Sequence, residues 1–330
     1  MPDKQTYLPS SDFVPRRGLR GGHVQTLASF FIPRRFSLPT ADSRMIPVEP
    51  GVSVLCHCHW QPDRGTPLTV ILIHGFEGSS ESEYMNGIAE KGLAAGMNVV
   101  RMNQRSCGGT EHVAPALYHS GLSGDIAAVA QHLIEHDHIS RLALVGFSMG
   151  GNLVLKLAGE WAGAGPPQFR AAAAVCPALD LAASSDALHL LSNRLYERYF
   201  LWKVARRMRA KARHFPGVFD LSRLRGLASL RDFDDRITAF YCGFDGAADY
   251  YARAAASNLV DRIARPTFIL HAANDPFIRI LPETRRKIAA NPHITFLETP
   301  DGGHCSFIAA PNGYDGFWAE RQIVDFLRNY

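Results

Sequence analysis

Leu142-Ala143-Leu144-Val145-Gly146-Phe147-Ser148-Met149-Gly150-Gly151 is the run from which the rest of this chain can be read. An apolar, strand-forming stretch leads into a serine flanked by glycines. Asn152 to Trp161 follows as a helix, with Leu153, Leu157 and Trp161 at four-residue spacing. Gly146-x-Ser148-x-Gly150 is the pattern of a sharp strand-to-helix turn that lifts a serine hydroxyl off the sheet edge. A Cβ at either glycine would meet the neighbouring strand or helix. The same turn sets the Met149 N–H at a helix N-terminus, where negative charge is favoured.

Outward from this run, apolar strands alternate with helices. Leu68–Ile73 (LTVILI) is a continuous apolar segment of the kind buried on both faces of a parallel sheet. Residues 84–95 suit a helix, 97–102 a strand, 122–136 a helix and 171–176 a strand. After an interruption come the strand 266–271, a helix near 282–290, the strand 293–298 and a last helix over 317–329. Alternation of this kind predicts an α/β fold, with a mostly parallel central sheet flanked by helices. Residues 43–60 hold one or two further short strands. The interruption, about 183–262, reads as helices alone and is expected to be a helical cap inserted between late strands. Residues 1 to about 42, rich in Pro, Arg and Gly, are expected to wrap the outside of a single domain spanning 1–330.

A serine hydroxyl needs a base, and the base needs an orienting acid. Where an elbow of this pattern resembles that of the α/β-hydrolases, the arrangement implies the chain order serine, acid, histidine. The acid should follow a late strand and the histidine the last one. Asp275 follows the strand ending at His271, where such sites are assembled. His304 lies in the loop Asp301-Gly302-Gly303-His304 after the final strand. Asp301 is the alternative acid but sits close in sequence to His304. His293, at a strand start, reads as structural. The expected catalytic set is Ser148, Asp275 and His304. A second oxyanion donor is expected from His74-Gly75-Phe76-Glu77-Gly78-Ser79-Ser80, with the Phe76 N–H joining that of Met149. His74 precedes the serine and is better suited to holding this loop by a hydrogen bond than to serving as base. Such a set needs neither metal nor organic cofactor.

Other clusters argue for less. Cys56-His57-Cys58-His59 resembles a metal motif, but on a strand the cysteines face one way and the histidines the other. Asn103-Gln104-Arg105-Ser106-Cys107-Gly108-Gly109 follows a strand and is expected to border the pocket, with Cys107 outcompeted as a nucleophile. In Leu201–Arg213, one helical face carries Leu201, Val204, Ala205, Met208 and Ala212. Lys203, Arg206, Arg207, Arg209, Lys211 and Arg213 occupy the rest. The plain reading is a solvated cap helix; the sharper one is contact with an anionic membrane or a negatively charged substrate.

The chain has 330 residues, 46% of them hydrophobic, which is ample for one large core. A net charge of +4 does not argue for a nucleic-acid partner. The six cysteines lack a framework spacing and read as free thiols. Residues 1–22 lack the apolar stretch of a secretory signal, and no segment approaches a membrane span. A cytoplasmic protein is expected, free or resting on a membrane surface.

Together these motifs resemble the YheT-like branch of the α/β-hydrolases, which also holds membrane-associated esterases and lipases of yeast and mammals. The resemblance spans nearly the whole chain. It rests on Gly22-His23-Val24-Gln25-Thr26, the 74–80 loop with Tyr84, the 103–109 loop and Gly146–Glu160. It continues through Asp232-Phe233-Asp234, Gly243-Phe244, Tyr250-Tyr251, Asp275-Pro276-Phe277 and Gly303-His304. It implies the α/β-hydrolase fold and cleavage of short- to medium-chain carboxylic esters, with glycerolipids as substrates of some members. The family often has two acidic residues before the Pro-Phe pair; Asn274 replaces the first here and leaves Asp275 as the acid. The membrane anchor of the eukaryotic members is not expected here. Thioester or amide cleavage, acyl transfer, and a non-catalytic binding module on the same fold remain alternatives.

Overall fold

The computed structural model describes residues 13–330. Residues 1–12, part of the expected wrapping segment, lie outside it. The described residues form one eight-stranded sheet in the order β1-β2-β4-β3-β5-β6-β7-β8. The strands are β1 (Asp42–Glu49), β2 (Val52–His59), β3 (Thr69–Ile73), β4 (Asn98–Met102), β5 (Leu142–Phe147), β6 (Phe169–Val175), β7 (Thr267–Ala272) and β8 (Ile294–Thr299). β1, β2 and β4 pair antiparallel; all other neighbours are parallel. β3, β4, β5 and β7 are buried along their whole lengths, the condition of strands covered on both faces.

Helices supply that cover. On one face α3 (Ser123–His136), α4 (Met149–Trp161) and α10 (Pro282–Ala290) pack Val129, Leu133, Leu153, Leu157 and Ile288 onto the sheet. On the other, α2 (Glu83–Ala94) and α11 (Trp318–Leu327) bring Met85, Ile88, Ile323 and Phe326. The segment before β1 does more than wrap. It contains α1 (Gly22–Phe31), and Phe13 is buried against Phe307 and Trp318. The Pro, Arg and Gly content masked this helix, whose buried residues are the polar Gln25 and Thr26.

Between β6 and β7 the chain is helical. It runs through α5 (Leu181–Leu188), α6 (Arg194–His214), α7 (Leu230–Phe233), a π-helical turn (Asp234–Ala239), α8 (Phe240–Cys242) and α9 (Ala247–Ala254). These helices enclose a separate apolar cluster that includes Val204, Met208, Phe233 and Tyr250. Phe277, from the loop after β7, belongs to the same cluster and joins the helical block to the sheet.

Candidate active site

Ser148 sits between the last residue of β5 and the first of α4, with φ 54° and ψ −117°. A non-glycine residue takes this conformation only where its surroundings compel it. The Ser148 N–H donates to Val175 O at 2.9 Å, and its carbonyl accepts from Asn152 N and Ala178 N. The flanking glycines make room for the turn. A Cβ on Gly146 would lie 2.2 Å from Gly150 O, and one on Gly150 would lie 2.4 Å from Ile73 O. Both clashes are with backbone, which cannot swing aside. Met149 opens α4, so its N–H has no acceptor within the helix.

The loop after β3 lies against the serine: a Cβ on Gly75 would be 3.2 Å from Ser148 Cβ. His74 lies beneath this loop. Its Nδ1 donates to Gly75 O at 2.8 Å, while Nε2 accepts from Gln104 N at 3.1 Å. Burial pulls His74 down to about 4, so the ring is neutral and suits these two roles. The Tyr84 hydroxyl accepts from Gly75 N. The Phe76 N–H, one residue on, donates to no group among the described residues.

Asp275 and His304 meet beyond the ends of β7 and β8. His304 Nδ1 lies 2.8 Å from Asp275 Oδ2, while Asp275 Oδ1 accepts from the N–H groups of Phe277 and Ile278. Burial opposes the Asp275 charge, but His304 and these donors hold its carboxyl below the usual range. Burial likewise opposes a charged imidazole, yet negative charge on the Cys305 sulfur and on Asp275 together carries His304 well above its ordinary value. The Phe277 ring, 4.4 Å from the His304 ring, shields this pair. Ser148 Oγ makes no hydrogen bond to His304 here. In free enzymes catalytic hydrogen bonds are often long and tighten only when substrate is bound.

Residues 69–311 match the family model for the alpha/beta hydrolase fold. "Putative esterase YheT" of Escherichia coli is 30% identical over 99% of this chain and 96% of its own. The chain belongs to the α/β-hydrolase fold family, in its YheT-like branch. Mouse "Phospholipase ABHD3" is 28% identical over 78% of the chain, which spans 61% of that relative's length. Among solved structures, the Pyrococcus furiosus esterase Pf2001 superposes with a TM-score of 0.57 at 17% identity, over 90% of this chain and 98% of its own. This α/β-hydrolase is a carboxylic ester hydrolase.

Several residues that support the candidate site carry no role in the sequence reading. His304 N donates to Thr26 Oγ1 at 2.8 Å, so α1 steadies the histidine loop. Gln25, fully buried, bonds to both backbone groups of Ile308. Both lie in Gly22–Thr26, a signal visible as a motif but without a role. Asn274 bridges Asp301 Oδ1 and Gly303 N, and Asp301 also accepts from Gly21 N. Asp301, the alternative acid, is therefore occupied in building the loop. His293 is exposed at the start of β8. Cys56 and Cys58 pack into the core, while His57 bonds to Ser43 and His59 to Arg101. Burial pushes Cys107 up to about 12, a poor nucleophile.

Part of the basic stretch 201–213 is not a solvated face. Lys203 Nζ donates to Glu77 O at 2.6 Å, and Arg207 holds both Glu77 carboxylate oxygens at 3.0 Å. Lys211, with no exposed surface, donates to Ser106 Oγ and Ala114 O, and burial brings it down to about 8. Tyr118 OH completes the set on Glu77. Two of the six cations thus dock α6 onto the loop that carries Phe76, and Lys211 docks it onto the 103–118 segment, because both offer buried acceptors. Arg206, Arg209 and Arg213 remain exposed. Beneath α6 lies a narrow pocket in which Phe76 and Met149 meet Leu117, Val204, Met208 and Phe233.

Proposed function

We propose that this hydrolase cleaves short- to medium-chain carboxylic esters through an acyl-enzyme on Ser148. The observation that carries the reading is the Asp275–His304 pair, 2.8 Å apart, beside a serine held in a strained turn at a helix N-terminus. Ser148 Oγ attacks the ester carbonyl as His304 Nε2 takes its proton. Asp275 keeps the other nitrogen protonated and favours the imidazolium that forms. The N–H groups of Phe76 and Met149 receive the oxyanion, each worth about 3–4 kcal/mol in the transition state. His304 then delivers the proton to the departing alkoxide. Water, deprotonated by the same histidine, releases the acid. The apolar pocket beside Phe76 and Met149 suits the acyl chain, and its narrowness favours chains of modest length. A chain-length panel of nitrophenyl and glyceryl esters, with Ser148→Ala as control, tests this. Faster turnover of matched amides or thioesters than of esters would overturn the substrate class.

A surface feature supports glycerolipid esters presented by an anionic membrane. Leu195, Tyr199, Trp202, Arg206, Arg209 and Arg213 recur every three or four residues along α6 and all are exposed, Leu195 at 79% and Trp202 at 54%. The stripe is apolar at one end and basic at the other, the chemistry of an interfacial helix. Tyr196 and Phe200, on the adjacent face, turn inward onto Phe277, which covers His304. α1 adjoins through His23, stacked on Tyr196, and exposes Phe30 and Phe31. The exposed stripe carries three arginines and no carboxylate, which favours anionic lipid as its partner.

A further inference from the structure

His304 has a neighbour that ester hydrolysis does not require. Cys305 follows it directly, and Cys176 follows the last residue of β6. The sulfurs of both cysteines and a ring nitrogen of His304 all lie within 4.8 Å of one another. Cys305 Sγ is 3.9 Å from His304 Nε2, and Cys305 N donates to Cys176 Sγ at 3.4 Å. Nδ1 is committed to Asp275, so Nε2 is the nitrogen free to bind.

We propose that Cys176, Cys305 and His304 Nε2 form a site for a thiophilic divalent cation such as Zn2+, whose binding switches hydrolysis off. In tetrahedral zinc sites two thiolates lie about 3.8 Å apart, and a thiolate and an imidazole nitrogen about 3.5 Å. The three donors already approach that spacing. The metal takes both cysteines as thiolates and His304 as the neutral imidazole, so each S–H or Nε2–H bond present beforehand is broken and its proton passes to solvent. Each thiolate and Nε2 then gives one electron pair, and water can take the fourth position. The two thiolates offset the dication's charge, as a site largely out of water demands. Asp275 orients the imidazole by its second nitrogen, the carboxylate–histidine–metal arrangement that strengthens a histidine ligand. The Nε2 lone pair engaged by the metal is the one that must accept the Ser148 proton, so a metal-bound enzyme has no base. Cys176, His271 and Asp275 also bring three donor atoms within 4.8 Å, but all three are fully buried. Cys305 and His304 retain exposure and give the first set a route of entry.

The loss of hydrolysis rests on the catalytic reading of His304; the binding of metal does not. The test titrates metal-free protein with buffered Zn2+ while a phosphine reductant prevents disulfide formation. Rates are referred to each variant's own metal-free value. Wild type should lose its activity and recover it with a chelator, while Cys305→Ala should need about 100-fold more Zn2+ or beyond. Cd2+ should give a thiolate-to-metal ultraviolet band at one ion per chain in wild type and in Ser148→Ala, weakened in Cys305→Ala and in Cys176→Ala. The Cd2+ band reports binding even if no ester is turned over, so the two readings can fail separately. Equal Zn2+ sensitivity of wild type and Cys305→Ala, or no thiolate band in wild type, would overturn the proposal.

Discussion

In the proposed mechanism His304 must be neutral to take a proton from Ser148, so its surroundings would set the acid limit of catalysis. Its raised pKa means that kcat/KM should climb with pH through a midpoint above the ordinary histidine value. Below that midpoint the ring is already protonated and the base is lost. A pH–rate profile checks this, and a midpoint below about 6.5 would contradict it. Asp275→Asn keeps the shape of the acid but no longer fixes the tautomer. It should cut kcat by about 10⁴-fold with little change in KM. Chain order and strand position single out both residues in the sequence, and the structure brings the two together. They do not single out the Cys305 thiol. It is one residue from His304 in sequence, but its approach to Nε2 depends on a left-handed backbone at Cys305, with φ 58°.

The contact between α6 and the Phe76 loop is the support that periodicity concealed. Lys203, Arg207 and Lys211 recur at four-residue spacing and looked like part of a solvated rim; Glu77 and Ser106 turn them into anchors. Arg207→Ala would strand Glu77, whose side chain is only 2% exposed. Breaking a buried pair from one side costs about 3–5 kcal/mol, so a clear fall in the thermal midpoint is expected. In the proposed mechanism kcat should fall with it, since the loop bearing the Phe76 N–H loses its clamp. A midpoint and kcat equal to wild type would show that the pair holds nothing. Thr26→Val removes the acceptor for the His304 N–H at the end of the histidine loop. It should lower kcat more than it raises KM, because misplacing a base slows the chemical step without touching substrate contacts. The β3, β5 and β7 strands were legible as unbroken apolar runs. α1 was not, because the side chains it buries, Gln25 and Thr26, are polar.

Across the whole molecule, the ends of β5, β7 and β8 gather the three loops that carry Ser148, Asp275 and His304, and a helical block lies between β6 and β7. That division explains what the sequence disclosed. The parallel strands repeat a rule, so the alternation and the fold class follow from it, while the strand order is seen only in the structure. The block from α5 to α9 obeys no such period, and its docking side and free side separate only in three dimensions. On its free side, Trp202→Glu should reduce co-sedimentation with vesicles containing anionic lipid while leaving hydrolysis of a soluble nitrophenyl ester unchanged. Equal binding of wild type to neutral and anionic vesicles would remove the membrane assignment.

The serine mechanism itself is tested most directly by a fluorophosphonate, which phosphonylates an activated serine. Intact-mass and peptide analysis should find one adduct per chain, on Ser148, with esterase activity lost in step. Ser148→Ala should take up none and hydrolyse no ester. Equal labelling of wild type and Ser148→Ala, or ester turnover that survives the substitution, would contradict the mechanism.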